Sequence, residues 1–268
     1  MRYVEAPLRR LKTVWHRTRH DAGAYGADLL GDFLGARIFP FPKSLYAVRD
    51  TLAAVVGAKP DALILDFFAG SGTTLHATSL LNQEDDGKRR CILVTNNDVD
   101  PETQSKLKRQ GHHRGTPEYE RHGIFEAVTR PRCDAAITGL RADGTLVPGA
   151  YLDGRAYADG FQENVEFCRL DYLDPDQVEL GKAFEAIHPA LWLIAGGKAP
   201  RPDEVDPTKP FYIAERAGYA ILFEDPSLRE LSRRSRGGTT SLTSSSSPTA
   251  RRPSSTPVSS SATAARPR

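Results

Sequence analysis

The sequence predicts an α/β fold with parallel strands and a structureless C-terminal tail. Three observations carry this. The run LILD at 63–66 is apolar, ends in an acid and breaks at once into FFAGSG, after which TTLHATSLL fills 73–81. A second apolar run, CILVT, stands at 91–95. Strand, helix and strand then occupy about 34 residues, the length of one βαβ unit, and a right-handed crossover makes the two strands parallel. The third observation is the composition of residues 233–268, which are rich in Ser, Thr, Pro and Arg and nearly free of large apolar side chains. Such a segment cannot bury enough surface to offset its ordering entropy, so disorder is expected.

Residues 1–40 read as a basic lead-in. The first 20 hold six Lys or Arg against one acid, with Trp15 among them, a pattern suited to a solvated segment or to a nucleic-acid contact. His16 and His20 have a metal-compatible helical spacing but no acidic or Cys partner close by, so no metal is expected. Pro40 and Pro42 keep the chain extended. Ser44 is a candidate N-cap, Leu45, Val48, Leu52 and Val55 follow helical spacing, and Gly57 and Pro60 end that helix. The strand at 62–66, the helix at 73–81 and the strand at 91–95 follow, with Asp86-Gly87 in a polar loop.

Asp100-Pro101 and Thr116-Pro117 each pair an N-cap with a first-turn proline, which predicts helices over 101–110 and 117–129. Turn signals at Asp143-Gly144 and Pro148-Gly149 predict a hairpin over 141–157. NVEFCRLDYL at 164–173 alternates and predicts a third strand. Residues 178–197 read as mostly helical, and 211–225 as a closing hairpin around Ala217-Gly218. The folded domain is expected to span 41–232, between the lead-in and the tail at 233–268.

The net charge of +2 conceals an asymmetry. The tail holds seven Arg and no acid; without it, 29 basic residues face 34 acidic ones, a net of −5. The tail reads as a passive extension, with a non-specific nucleic-acid-binding arm as the functional alternative. No run of 18 apolar residues occurs and the N-terminus lacks the apolar centre of a secretion signal, so no membrane contact and a cytoplasmic location are expected. Cys91, Cys133 and Cys168 are odd in number and far apart; they fit neither a disulfide framework nor a metal pair and read as buried small residues.

A parallel strand that ends in Gly-x-Gly before a helix leaves bare N–H groups at a helix N-terminus, which suits an anion. No Lys follows Gly72, as a phosphate P-loop needs, and Leu75 stands where a dinucleotide fingerprint has its third glycine. LDFFAGSGTTLHA resembles instead the S-adenosylmethionine-binding motif of the amino-methylating DNA methyltransferases, D-P-F-x-G-S-G-T. FPFPKSLYAVRDTL resembles the cofactor motif before it, in which a Pro/Lys pair opens a helix. With RRCILVTNNDV, VTRPRCDAAITG and GFQENVEFCRLDYLD, the resemblance covers about residues 10–225. It is to the C-terminal part of type III restriction-modification methylation subunits and related site-specific adenine methyltransferases. This is a permuted class in which the catalytic half precedes the cofactor half.

The resemblance implies a partial methyltransferase (Rossmann-like) sheet with S-adenosyl-L-methionine at the carboxyl ends of its strands. By it, Asp66 takes the cofactor's ammonium, and Phe68, Ala69, Gly70, Ser71 and Gly72 line the methionine part. Backbone N–H groups with the Thr73 or Thr74 hydroxyl hold the carboxylate, which Lys43 and Ser44 can also reach. Asn96 stands where many methyltransferases place an acid on the ribose, and Asp171, with Asp174 as a rival, is the candidate at adenine. Arg130 and Arg132 can meet phosphate, although a surface role is expected. The family's catalytic [D/N/S]-P-P-[Y/F/W] motif needs a Pro-Pro dipeptide, and this sequence contains none, so no catalytic residue is assigned. The implied function is the cofactor-binding portion of a site-specific DNA (adenine-N6) methyltransferase, truncated or split. Its partners would be DNA and a chain supplying the catalytic half or a restriction subunit. The alternative is a non-catalytic DNA-binding protein on a decayed scaffold.

Overall fold

A computed structural model describes residues 14–179, 183–197, 199–202 and 204–235, together with the backbone of 241–244. The first 13 residues of the lead-in and most of the tail lie outside the described residues. The chain forms two compact units, Met1–Phe167 and Cys168–Arg268, each mixing helices with a small sheet.

In the first unit a 3-10 turn, Thr18–His20, and a π turn, Gly23–Asp28, lead into α1, Leu29–Leu34. The sequence reading assigned no element to this segment, yet Leu29, Leu30 and Phe33 are almost wholly buried, and Leu29 and Phe33 lie in the main core. The lead-in therefore contributes packing, and its Leu29/Phe33 spacing was the helical signal. Asp50 fastens it: its carboxylate accepts from Arg19 Nη2 at 2.5 Å and meets His20 Nε2 at 2.8 Å. His20 is thus engaged structurally, and no group of metal-binding side chains occurs among the described residues.

Helix α2, Leu45–Val56, starts at Ser44, whose hydroxyl accepts from the Ala47 N–H at 3.3 Å. Strand β1, Leu63–Asp66, helix α3, Thr73–Asp85, and strand β2, Arg90–Leu93, form the expected βαβ unit. The strands are parallel, with Leu63 opposite Arg90 and Asp66 opposite Leu93. Helix α3 covers one face, where Thr78 reaches the Cys91 sulfur. The other face is bare: Leu63 is 57% exposed, Leu65 61% and Ile92 47%. Parallel sheets are ordinarily covered on both faces.

Helix α4, Pro101–Arg109, is capped by Asp100, as its Asp-Pro signal predicts. The helix expected over 117–129 is interrupted. Helix α5, Pro117–Glu120, ends after one turn, and a π turn, Phe125–Thr129, then runs into α6, Arg130–Thr138. Pro131 stands just after the π turn, inside a continuous run of helical backbone, where the register changes from π to α. The hairpin expected over 141–157 is two tight bends, with single bridges at Leu140–Leu146 and Ala150–Ala156. Val147, Tyr151 and Tyr157 are buried in the main core. The third strand expected over 164–173 is absent. Leu170 is 96% and Tyr172 94% exposed, so the alternation there has no sheet to face.

The second unit contains α7, Pro175–Glu179, α8, Phe184–Ile194, the antiparallel hairpin β3, Phe211–Ala214, with β4, Tyr219–Leu222, and α9, Leu228–Ser235. Gly218, at φ 73°, makes the hairpin turn that Ala217-Gly218 predicts. Phe184, Trp192, Tyr219 and Ile221 form its core. Strand β5, Ser241–Ser244, pairs parallel with β4, so four residues of the expected structureless tail take strand geometry on the open edge of β4. Among the described residues the strands lie in two separate sheets, one in each unit, where the resemblance implies one partial methyltransferase sheet.

Candidate functional site

Asp66 ends β1, and its carboxylate closes the turn that follows. Oδ1 accepts from the Phe68 N–H at 3.2 Å and Oδ2 from the Thr74 hydroxyl at 2.5 Å. Strand end and helix start are thereby tied together. The Gly72 N–H donates to Ala69 O at 2.9 Å, and the Ala69 N–H donates to Val94 O at 3.1 Å, which ties the turn to the end of β2. Gly70 (φ 49°) and Gly72 (φ 73°) take left-handed backbone. At Gly72 a Cβ would also stand 2.9 Å from Cys133 Sγ, so glycine is required twice over. The turn delivers the N-terminus of α3, with its unpaired N–H groups and positive dipole end, to the same end of the sheet as Asp66.

The underside of the turn is held by α6 and the π turn before it. The Thr129 hydroxyl donates to Gly70 O at 2.5 Å. Arg132 is completely buried, and its Nη1 donates to the Thr73 hydroxyl at 2.6 Å, the Ser71 hydroxyl at 3.1 Å and Ser71 O at 3.3 Å. Its Nε and Nη2 are buried without a hydrogen-bond partner. Burial lowers its pKa to about 10, which still leaves it charged near neutrality. The surface role expected for Arg132 is therefore wrong. Arg130 is half-buried, pairs with Glu126 at 3.5 Å and stacks on Phe125 and Phe167.

The missed signal lay in helical spacing. Thr129, Arg132, Cys133 and Ala136 stand at i, i+3, i+4 and i+7, and all four are buried. An arginine on the apolar stripe of a helix marks a buried cation. The cysteines divide three ways, against the expectation that all are buried: Cys133 is buried, Cys91 half-buried and Cys168 exposed. Burial pushes the Cys133 thiol up to about 12 and the Cys91 thiol to about 11, so both stay protonated.

Of the residues expected to bind a cofactor, Asp66, Phe68, Ala69, Gly70, Ser71, Gly72, Thr73 and Thr74 form this one turn. Phe68 is 91% exposed and stands at its rim. The parallel register brings Asn96, three residues beyond β2, to the same end of the sheet, where its amide donates to Asp98 at 2.5 Å. Lys43 is exposed just before α2. The Ser44 hydroxyl is committed to structure: it caps α2 and donates to Arg19 O at 2.8 Å. Phe39, from the segment entering α2, places its ring 3.6 Å from the Cβ position of Gly70, so the two motif segments adjoin. Asp171 lies in the second unit, exposed and paired with Arg169 at 2.7 Å, and Asp174 accepts from the Asp176 N–H at the start of α7.

No protein-family model matches the chain. Three curated proteins resemble it. The EcoPI Mod subunit, a type III restriction-modification enzyme of Escherichia phage P1, is 35% identical over 101 residues, 38% of this chain and 15% of that protein. The type II methyltransferase M.KpnI of Klebsiella pneumoniae is 40% identical over 91 residues, 33% of this chain and 20% of that protein. The StyLTI Mod subunit, a type III restriction-modification enzyme of Salmonella typhimurium, is 42% identical over 64 residues, 24% of this chain and 10% of that protein. The chain thus spans one fifth or less of the length of these relatives. Over part of its length, this chain resembles the methyltransferases of restriction-modification systems.

Proposed function

We propose that the chain supplies the S-adenosyl-L-methionine cradle of a site-specific DNA (adenine-N6) methyltransferase of a restriction-modification system. The observation that carries the reading is the charge layout of one turn. A carboxylate, Asp66, ends the strand, and the N-terminus of α3, underlain by the buried cation Arg132, begins the helix. An acid and a positive helix end so close together match a zwitterion, and the amino-acid end of S-adenosylmethionine carries an ammonium and a carboxylate. The two left-handed glycines let the turn close tightly over Thr129 and Cys133, which sets the α3 N-terminus beside Asp66. The bound group would donate the methyl; the residues of this chain would hold and orient it.

On this reading Asp66 accepts from the ammonium, while the α3 N-terminus with Ser71 and Thr73 receives the carboxylate. Phe68, Ala69, Gly70 and Gly72 line the methionine part, Thr74 holds Asp66 in place, and Asn96 meets the ribose. Lys43 and Ser44 belong to the adjoining motif, and Asp171 remains the proposed contact to adenine. Residues 41–232 would form part of a Rossmann-like methyltransferase domain in the cytoplasm, with DNA as partner. No helix among the described residues is long and apolar enough to cross a membrane. The Asp-Pro-Pro-Tyr type of catalytic motif would come from outside these 268 residues, and the bare Leu63/Leu65/Ile92 face supports a covering partner.

Isothermal titration of the chain with S-adenosylmethionine tests the reading. One saturable site is expected, and Asp66→Asn should weaken it by about tenfold or more, the scale of one charge-assisted hydrogen bond. The wild-type chain showing no heat of binding would sink the proposal.

A further inference from the structure

The arginine beneath the glycine turn carries an inference that deepens the cofactor reading and rests on it. We propose that Arg132 is a positioning residue that gives the turn its preference for a carboxylate, although it lies on a separate helix and never reaches solvent.

The hydrogen bonds show how it would act. Arg132 Nη1 donates to both the Ser71 and the Thr73 hydroxyl oxygen, and those two oxygens lie 3.1 Å apart. A guanidinium only donates, so both oxygens serve as acceptors toward it. One hydroxyl hydrogen closes the Ser71–Thr73 contact. The other is left to donate elsewhere, so the two buried hydroxyls together are a net donor. Ammonium offers it nothing to bond; a carboxylate accepts from it.

The charge itself is not cancelled nearby. The titratable groups facing Arg132 are His76, Tyr151 and Cys133, and burial holds each in its neutral form. Two of the three guanidinium nitrogens lack a partner while wholly buried, and no acid pairs with it among the described residues. An uncompensated cation in a poorly polarisable interior acts strongly over several ångströms, and here it adds to the positive end of α3. Tying α6 to the turn does not account for all of it, because Nη1 alone makes those hydrogen bonds and Nε and Nη2 are left buried without partners.

The test compares S-adenosylmethionine with decarboxylated S-adenosylmethionine, which keeps the ammonium and lacks only the carboxylate. The ratio of their affinities by titration calorimetry reads the carboxylate preference, and the melting temperature of the ligand-free chain reads stability. Arg132→Met should lower the ratio by about tenfold or more, whatever the lost hydrogen bonds do to the melting temperature; Arg132→Lys, which keeps the charge, should stay within about threefold of wild type. The proposal is overturned if Arg132→Met keeps the wild-type ratio, or weakens both ligands equally as a merely structural residue would. Should Arg132→Met fail to fold, Arg132→Lys decides: retention of the ratio supports the proposal and its loss overturns it. Equal affinity of the wild type for both ligands overturns this inference alone; binding of neither overturns the cofactor reading and this inference with it.

Discussion

His76 shows how one side chain couples α3 to the core and to pH. It is completely buried in α3, with Nε2 2.7 Å from the Tyr151 hydroxyl and its ring edge-on to Phe33. Burial first, and then the positive charges of Arg132 and Arg155, hold its pKa well below 6.5. Above 6.5 it is neutral in both folded and unfolded chain and contributes no pH dependence. Below 6.5 the unfolded chain takes up a proton that the folded chain does not, so stability falls as pH falls toward the lower folded value. The melting temperature should therefore drop between pH 7.5 and 5.5, and His76→Gln should flatten that slope; an unchanged slope in the variant would refute the assignment. His76 did not announce itself in the sequence, and Arg132 did so only through the helical spacing it shares with Thr129, Cys133 and Ala136. A lone His and a lone Arg look alike on a surface and in a core until neighbouring elements close over them.

Among elements, the βαβ unit was the most legible. Its strand, helix and turn signals are local: apolar runs and glycines at the strand's end. The support for the glycine turn was not local, because α6 reaches it from some 60 positions further along. That contact makes Gly72 the most sensitive position of the turn. Gly72→Ala must adopt φ 73° and bring a methyl to 2.9 Å from Cys133 Sγ. A loss of about 2–3 kcal/mol is expected by chemical denaturation. Cys133→Ala in the same chain should restore the part due to the clash and leave the part due to backbone strain. Full restoration would place the whole cost in packing. The segment at 164–173 failed for the converse reason. Its alternation is as clear as that of any strand, but a strand exists only beside another, and sequence period does not supply the neighbour.

For the whole molecule, the uncovered face of β1 and β2 has the widest consequence. Leu63, Leu65 and Ile92 face solvent on a parallel sheet, and such sheets are stable when both faces are covered. If a chain carrying an Asp-Pro-Pro-Tyr motif covers that face, co-expression of the two should yield DNA methylation that neither chain gives alone. Leu65→Lys should then abolish the joint activity while leaving S-adenosylmethionine affinity within about twofold, since Leu65 lies on the bare face and a buried Lys is costly. Methylation surviving Leu65→Lys would show that the partner docks elsewhere. The sequence by itself determined the βαβ unit, its glycine turn and the likeness to restriction-modification methyltransferases, because these rest on short-range patterns of apolar residues and glycines. Only the tertiary structure decided that the strands divide between two sheets, that residues 18–34 join the core, and that Arg132 lies uncompensated beneath the turn. Burial and charge pairing are properties of what packs against a residue, and distant parts of the chain supply that.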